Sequence, residues 1–214
     1  DFSRVLFRSL AEFGIVAGVG RNGLEKLLKV IEDGDDDRVP SAARDCLLAL
    51  RAQLETVKRQ VLEADRRVLA WHRSSEVSQR LDDIPGVGPL IATALVASVP
   101  DPHAFKSGRD LAAWIGLVPR QNSTGGKARL GHISKAGNRY LRMLLVVGAL
   151  SVIRRAKQVG YTRRPWLTKL LQRRSTQLAA IALANKLART PWAMMAHGTY
   201  YPAPGAPAPF DPGS

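Results

Sequence analysis

Apolar residues recur at helical spacings along most of the chain, and the longest regular run extends from Ser41 to about Ser74. Charged residues fill the intervening positions, so the pattern predicts one long amphipathic helix. Its apolar positions alternate at intervals of three and four residues, as in heptads: Leu47, Leu50, Leu54, Val57, Val61, Ala64, Val68 and Trp71. This regularity favours a coiled coil, either antiparallel or between two chains. Simple packing of the helix within its own chain is the alternative.

The segments around this helix complete the predicted organisation. Residues 1 to 40 form an N-terminal helical segment that ends in a charged linker, DGDDDRVP. Residues 41 to 76 form the long helix, and residues 77 to 199 form a second helical domain. Residues 200 to 214 are rich in Pro, Ala and Gly, and we expect this tail to be disordered. The predicted fold is therefore mainly α, with a long coiled-coil-like helix followed by a helical domain.

The second domain begins with a glycine-containing turn between two helical stretches. In LDDIPGVGPLIATALVASV, Gly86 and Gly88 follow a proline and permit a tight turn, while Pro89 suits the first turn of the next helix. This order predicts a helix-hairpin-helix, whose exposed backbone N–H groups can hold a phosphate. A plain turn between two helices is the alternative.

Three more helices are predicted after this motif, at Ser107 to Leu117, about Arg139 to Lys157, and Trp166 to Thr190. A polar, glycine-rich loop or short hairpin lies between the first two, from Pro119 to Ile133. The only cysteine, Cys46, excludes an internal disulfide, and its place in an apolar helical pattern predicts that it is buried.

The distribution of charge then points to a partner. The chain has 214 residues and a net charge of +14, yet residues 1 to 110 are nearly neutral, with 16 basic and 17 acidic side chains. Residues 111 to 210 hold 16 Lys or Arg residues and no Asp or Glu. Like charges repel, so such a surface predicts a polyanionic partner, and nucleic acid fits best. A membrane surface is the weaker alternative, because the basic residues are not gathered on one amphipathic face.

The missing carboxylates also restrict the chemistry. Residues 111 to 210 cannot supply the carboxylates of a two-metal nuclease, so strand chemistry there must use a hydroxyl nucleophile or borrow carboxylates from elsewhere. Ser123 and Thr124 stand before Gly125 and Gly126 in the polar loop, where the backbone can approach a ligand closely. Six cations surround the loop and could contact phosphates: Arg120, Lys127, Arg129, Lys135, Arg139 and Arg142. Ser and Thr are also ordinary turn residues, so the residues alone leave a structural role open.

Three segments, in this order, resemble the C-terminal domain of the insertion sequence 110 transposase family. They are IPGVGPLIATAL, FKSGRDLAAWIGLVPRQNSTGGKARLGHISKAGNRYLRMLLVVGA and LAAIALANKLARTPWAMM, within about residues 80 to 198. The resemblance implies an RNA-guided, serine-dependent DNA recombinase. It implies that Ser123, and less favourably Thr124, is the nucleophile for strand exchange in transposition. It also makes five of the cations around the loop candidate phosphate contacts: Arg120, Lys127, Lys135, Arg139 and Arg142.

In that family an N-terminal nuclease-like domain contributes four acidic residues that bind magnesium. The resemblance implies that this domain is missing from the 214 residues, so we expect no cofactor in this chain and Mg²⁺ in the missing domain. We expect a fragment that binds DNA, is inactive alone, works with a guide RNA and pairs with a second copy through the long helix. The expected location is the bacterial cytoplasm, at the nucleoid during transposition. The alternatives are a non-catalytic helix-hairpin-helix nucleic-acid-binding module and a coiled-coil assembly protein.

Overall fold

Helices dominate the computed structural model, which describes residues 2–34, 36–121, 130–159 and 165–202. The prediction of a mainly α fold is confirmed. The described helices and strands, with a single 3-10 turn at Pro102–Ala104, are α1 (Phe2–Glu12), α2 (Arg21–Glu32), α3 (Ser41–Ser74), α4 (Glu76–Asp82), α5 (Pro89–Ser98), α6 (Gly108–Ile115), β1 (Pro119–Gln121), β2 (Leu130–Ile133), α7 (Arg139–Val159), α8 (Pro165–Arg173) and α9 (Thr176–His197).

The chain divides into two compact units, Asp1–Arg67 and Val68–Ser214, and the division falls within α3. The first unit has its own small core, because α1, α2 and the first turns of α3 bring their apolar faces together. Its buried members are Leu6, Leu10, Ile15, Leu27, Leu28, Ile31, Val39 and Leu47. The charged linker that was predicted at the end of residues 1 to 40 is therefore part of this unit, since Val39 is only 3% exposed.

The predicted long helix has the predicted bounds, but only the first apolar positions of its heptad pattern pack against the core of the first unit. Leu47 is buried, and Leu50 and Leu54 pack against the core of the first unit. Farther along, Val57 is 42% exposed and Val61 is 53% exposed. Coiled-coil pairing of this helix therefore stays a prediction.

The prediction for Cys46 is wrong, because this cysteine is exposed. It directly precedes Leu47, and successive residues of an α-helix point about 100° apart. Leu47 faces the core of the first unit, so the neighbouring Cys46 is turned away from it. A residue within an apolar stretch of a helix is therefore buried only if it also lies on the face that packs against the core.

The core of the second unit is formed where α7 and α6 pack on α9. Five alanines of α9 are almost completely buried, and their small side chains allow the helices to approach closely: Ala179, Ala180, Ala184, Ala188 and Ala193. The predicted helices at residues 107 to 117 and 139 to 157 are confirmed as α6 and α7. Ser107 begins α6 by accepting a hydrogen bond from the Asp110 N–H, and Gly116, with φ 81°, ends it.

The predicted single helix from Trp166 to Thr190 is instead two helices, α8 and α9. Ser175 separates them, because its hydroxyl oxygen accepts a hydrogen bond from the N–H of Leu178 and caps α9. The sequence-based end at Thr190 is also wrong, since α9 continues through buried Pro191 to His197. Packing in the core outweighs the one backbone hydrogen bond that the proline removes.

The predicted hairpin at residues 119 to 133 is present as antiparallel strands β1 and β2, with Pro119 opposite Ile133 and Gln121 opposite Leu130. Its glycine-containing tip, residues 122 to 129, lies outside the described residues, as does most of the predicted tail, residues 203 to 214. In the part of the chain that the structure describes, no helix has the length and apolar character needed to cross a membrane.

Candidate functional site

The β1–β2 hairpin carries the segment in which the sequence places its nucleophile. Ser123 and Thr124, with Lys127 and Arg129, belong to residues 122 to 129 and lie outside the described residues. What the structure describes is the base of the hairpin, where β1 follows α6 and β2 leads into α7. The geometry of this base is described below.

Backbone contacts fix the base of the hairpin to the end of α6. Gly116 and Gly137 have φ values of 81° and 67°, and Lys135 also has a positive φ, 55°. A Cβ atom at Gly137 would lie only 1.7 Å from the carbonyl oxygen of Trp114, and one at Gly116 would lie 2.2 Å from that of Ala136. Only glycine permits so close an approach with these dihedral angles. The two glycines therefore let the segment before α7 lie directly against α6.

Arg142 adds side-chain hydrogen bonds to the same junction. Its Nη1 atom donates to the carbonyl oxygens of Ile115, at 2.7 Å, and Ala136, at 2.8 Å. The first of these oxygens is at the C-terminus of α6, where carbonyl groups lack helical partners. The sequence singles out Arg142 as a phosphate contact, and the structure shows this half-buried side chain bridging two backbone segments. Nearby, Asn185 of α9 donates to the carbonyl oxygen of Leu117, at 3.2 Å.

Three other predicted phosphate contacts lie around the hairpin base with exposed side chains: Arg120, Lys135 and Arg139. The Nη2 atom of Arg120 donates to the carbonyl oxygen of Ser134, at 3.3 Å, so this arginine on β1 contacts the residue that directly follows β2. The backbone N–H of Lys135 donates to the carbonyl oxygen of Gly116, at 3.2 Å. Arg139 is the first residue of α7. Solvent-facing cations therefore surround the base of the hairpin.

Gly86 and Gly88 lie in the turn between α4 and α5, and the structure separates their roles. Gly86 has a φ of 98°, and a Cβ atom there would lie 2.7 Å from Cγ2 of Val152 and 3.0 Å from the carbonyl oxygen of Gly148, both on α7. The close packing of the turn against α7 therefore explains why this position is a glycine. A Cβ atom at Gly88, at the N-terminus of α5, would meet nothing within 4 Å. Gly88 is therefore the member of the pair with open space for a ligand.

The turn and the hairpin base are distinct places along α7. Gly86 meets α7 at Gly148, nine residues after Arg139, which corresponds to about 14 Å along the helix axis. The α4–turn–α5 arrangement agrees with the order expected of a helix-hairpin-helix. Its identity as that motif, and phosphate binding at Gly88, stay predictions.

The structure also brings together a polar group that the sequence analysis missed. Nδ1 of buried His72 lies 2.8 Å from Oγ of Ser78, and Nε2 of His72 lies 3.7 Å from Oδ2 of Asp82. These are the residue types of a hydrolytic triad, but Ser78 is completely buried and cannot reach a substrate. The group is a satisfied internal network. Its members come from the end of α3 and from α4, and no motif links them in the sequence.

The magnesium implied by the family finds no site in the described part of the chain. No three His, Cys, Asp or Glu side chains are grouped there so that they could hold a metal ion. In the acidic linker, Asp36 is held by Arg38, whose Nε donates to Oδ1 at 2.8 Å. This hydrogen bond lowers the pKa of Asp36 from 3.8 to about 2. The described residues do not fit a magnesium centre, and Asp36 pairs with a cation of its own chain.

Comparison with known proteins assigns the second unit to the transposases. Residues 78–164 match the sequence model described as the transposase IS116/IS110/IS902 family. A protein of Sinorhizobium fredii named as a transposase, y4pF/y4sB, is 47% identical over 193 residues, which cover 89% of this chain and 49% of that protein. The transposases for insertion sequence elements IS1111A of Coxiella burnetii and IS1328 of Yersinia enterocolitica are each 35% identical over 192 residues. Those matches cover 90% of this chain and 53% and 57% of the two proteins.

Residues 78–164 therefore form a transposase domain of the IS116/IS110/IS902 family, which confirms the resemblance drawn from the motifs. The family match covers α4 to α7, including the turn at Gly86, the β1–β2 hairpin and Arg142. The chain spans about half the length of the curated relatives that it matches.

Proposed function

We propose that this chain supplies the serine half of a DNA strand-exchange site used in transposition of an insertion sequence. The observation that carries the proposal is the position of the family's NSTGG segment on a hairpin whose base is tied to α6 and α7. Cations with exposed side chains surround that base: Arg120, Lys135 and Arg139. A rigid base with positive charge around it suits a nucleophile that must approach a phosphodiester.

In the proposed step, Oγ of Ser123 attacks a DNA phosphorus atom. A new bond forms between Oγ and phosphorus while one phosphorus–oxygen bond of the phosphodiester breaks. The serine loses its hydroxyl proton to a base, and the departing sugar oxygen takes up a proton. Arg120, Lys127 and Arg129 stabilise charge on the non-bridging oxygens. Attack by a sugar hydroxyl of another strand then reverses the chemistry, releases the serine and joins the strands.

Other components complete the reaction in this proposal. Residues 111 to 210 contain no carboxylate, so the acidic residues that hold magnesium come from a nuclease-like domain. A guide RNA selects the strands to be exchanged. A second copy of the chain pairs through α3, whose Val57 and Val61 are exposed on the heptad stripe.

The test is to trap a covalent protein–DNA adduct. The chain is combined with a nuclease-like partner domain and guide RNA, incubated with labelled DNA, and analysed by denaturing electrophoresis. Wild-type protein and Thr124→Ala should form the adduct, and Ser123→Ala should not. An undiminished adduct in Ser123→Ala would overturn the assignment of the nucleophile. Loss in Thr124→Ala alone would move the assignment to Thr124.

A non-catalytic nucleic-acid-binding module is the second candidate, favoured by the α4–turn–α5 arrangement and the open position of Gly88. This candidate predicts salt-dependent DNA binding with no covalent adduct under any of the conditions above. Replacing Gly88 by Glu would place a negative charge at the N-terminus of α5. The variant should bind DNA more weakly if this turn holds a phosphate, whereas Ser123→Ala should bind like the wild type.

A further inference from the structure

An exposed face of α7 combines apolar and basic residues and has no assigned role. Tyr140 is 51% exposed, Met143 51% and Val147 56%, and the three residues follow one another at helical spacing. Arg154 follows them on the same side of the helix, and Arg139 lies one turn before Met143, at the edge of this side. Both arginines are exposed. We refer to these five residues as the α7 outer face.

The α7 outer face is not needed for the core of its unit. The buried residues of α7 lie on the opposite side, where they pack with α9, α6 and α5: Leu141, Leu144, Leu145, Gly148, Ala149 and Ile153. No side-chain hydrogen bond or ion pair joins Arg139 or Arg154 to any residue that the structure describes. The α7 outer face therefore offers a partner three neighbouring apolar side chains and two positive charges.

We infer that the α7 outer face docks in the major groove of B-form DNA, with Tyr140, Met143 and Val147 against the base edges. Charge favours DNA over a protein partner, because every charged residue of the face is positive and residues 111 to 210 contain no acid. The apolar strip favours a groove over the phosphate backbone alone, because the major groove presents the thymine methyl group to apolar side chains.

The dimensions of the helix agree with this placement. An α-helix with its side chains is about 10–12 Å wide, and the B-DNA major groove is about 12 Å wide. Arg139 and Arg154 are fifteen residues apart on α7, which is about 22 Å along the axis, or roughly two-thirds of a DNA turn. The arginines can therefore reach phosphates on either side of the bases that the apolar strip touches. The narrow major groove of duplex RNA does not admit a helix, so the inference is specific to DNA.

The inference rests on the proposed function only in taking DNA as the partner, and it does not depend on Ser123. The test measures binding of the full 214-residue chain to a fluorescent thymine-rich duplex by anisotropy over a series of salt concentrations. The double variant Met143→Ser/Val147→Ser removes apolar surface without changing charge. Leu178→Ser, which alters a 51% exposed leucine on α9, is the matched control.

We expect the double variant to bind about 5- to 10-fold more weakly, with an unchanged dependence on salt. Arg154→Gln should reduce the salt slope by about one. Replacing every thymine by uracil, which removes the methyl groups, should weaken binding by the wild type and have little further effect on the double variant. Leu178→Ser should bind both duplexes like the wild type.

Two results would overturn the inference. The first is wild-type affinity of the double variant for the thymine duplex, or an equal loss on changing thymine to uracil in both proteins. The second is a change in the molar mass of the double variant, measured by light scattering, with unchanged DNA affinity, which would make this face a protein interface. The adduct assay with Ser123→Ala is scored separately, so failure of this inference leaves the proposed function intact, and the reverse also holds.

Discussion

Gly148 provides a stringent test of the packing described here, because the usual effect of its substitution should be reversed. Gly148 lies in the interior of α7, where replacing glycine by alanine normally stabilises a helix by about 1 kcal/mol. In this protein, however, the turn between α4 and α5 lies directly against that position. A Cβ atom at Gly148 would lie 2.1 Å from the carbonyl oxygen of Gly86 and 3.0 Å from Cδ1 of Ile91.

The size of the effect follows from these distances. Ordinary van der Waals contact begins at 3.4 Å, so the carbonyl oxygen of Gly86 would have to move by more than 1 Å. Gly86 has little freedom to do so, since its own Cα also faces Val152. Overpacking of this kind costs about 1–3 kcal/mol, and a clash with backbone belongs at the upper end. After subtracting the gain in helix propensity, we expect Gly148→Ala to lower the free energy of unfolding of the second unit by about 2 kcal/mol.

Tryptophan fluorescence can report this change selectively, because all four tryptophans, at positions 71, 114, 166 and 192, belong to the second unit. The expected fall in melting temperature is about 4–8 °C. Gln158→Ala, at an exposed position near the end of α7, is the control and should be neutral or slightly stabilising. If Gly148→Ala melted at or above the wild-type temperature, the close contact between the turn and α7 would be refuted.

Three further predictions concern other contacts. Arg142→Ala should destabilise the second unit by about 2 kcal/mol in the same fluorescence assay, because two carbonyl groups lose a charged donor, and Arg142→Lys should restore only part of this loss; wild-type stability of the alanine variant would contradict the bridging role. The thiol of Cys46 should react with a colorimetric thiol reagent in the folded chain as fast as in denaturant, and protection by folding would contradict its exposure. The carboxyl of Asp36 should titrate by NMR with a pKa of about 2, and Arg38→Gln should raise this pKa towards 3.8. The pKa of Asp36 is lower in the folded protein than in the unfolded chain. This contact should therefore stabilise the first unit above about pH 4 and lose its effect as the pH falls towards 2. A pKa near 3.8 in the wild-type protein would show that the contact is absent.

The accuracy of the sequence-based predictions depended on whether the signal was local. The bounds of α3 and α7 followed from apolar periodicity, and the same signal predicted α6 one residue too long at its start and two residues too long at its end. The break between α8 and α9 was not predicted, because the sequence does not show that the hydroxyl of Ser175 caps a helix. Only the structure shows its hydrogen bond to the N–H of Leu178. Pro191 led to the opposite error. Proline usually ends a helix, so the helix was predicted to stop at Thr190, but α9 continues through the buried Pro191.

The candidate site shows the same limit. The sequence singles out the segment around Ser123 and its cations by residue type and family motif, and their roles stay predictions. It could not show that Arg142 donates hydrogen bonds to the backbone carbonyl oxygens of Ile115 and Ala136. The longer of these two contacts joins residues that are 27 positions apart in the sequence. Nor could it separate Gly86 from Gly88, because the difference between them is the presence of α7 beside one and open space beside the other.

The absence of acidic residues from positions 111 to 210 has a consequence for how this chain responds to salt. Sixteen positive charges without a negative one oppose compaction, so screening by added salt should raise the melting temperature of the chain alone. A bound polyanion stabilises the folded state by mass action, and that contribution declines as salt weakens binding. Salt therefore acts in opposite directions on the two forms, and their melting curves should converge at one ionic strength. Below that ionic strength, the chain with a bound polyanion should melt at a higher temperature than the chain alone.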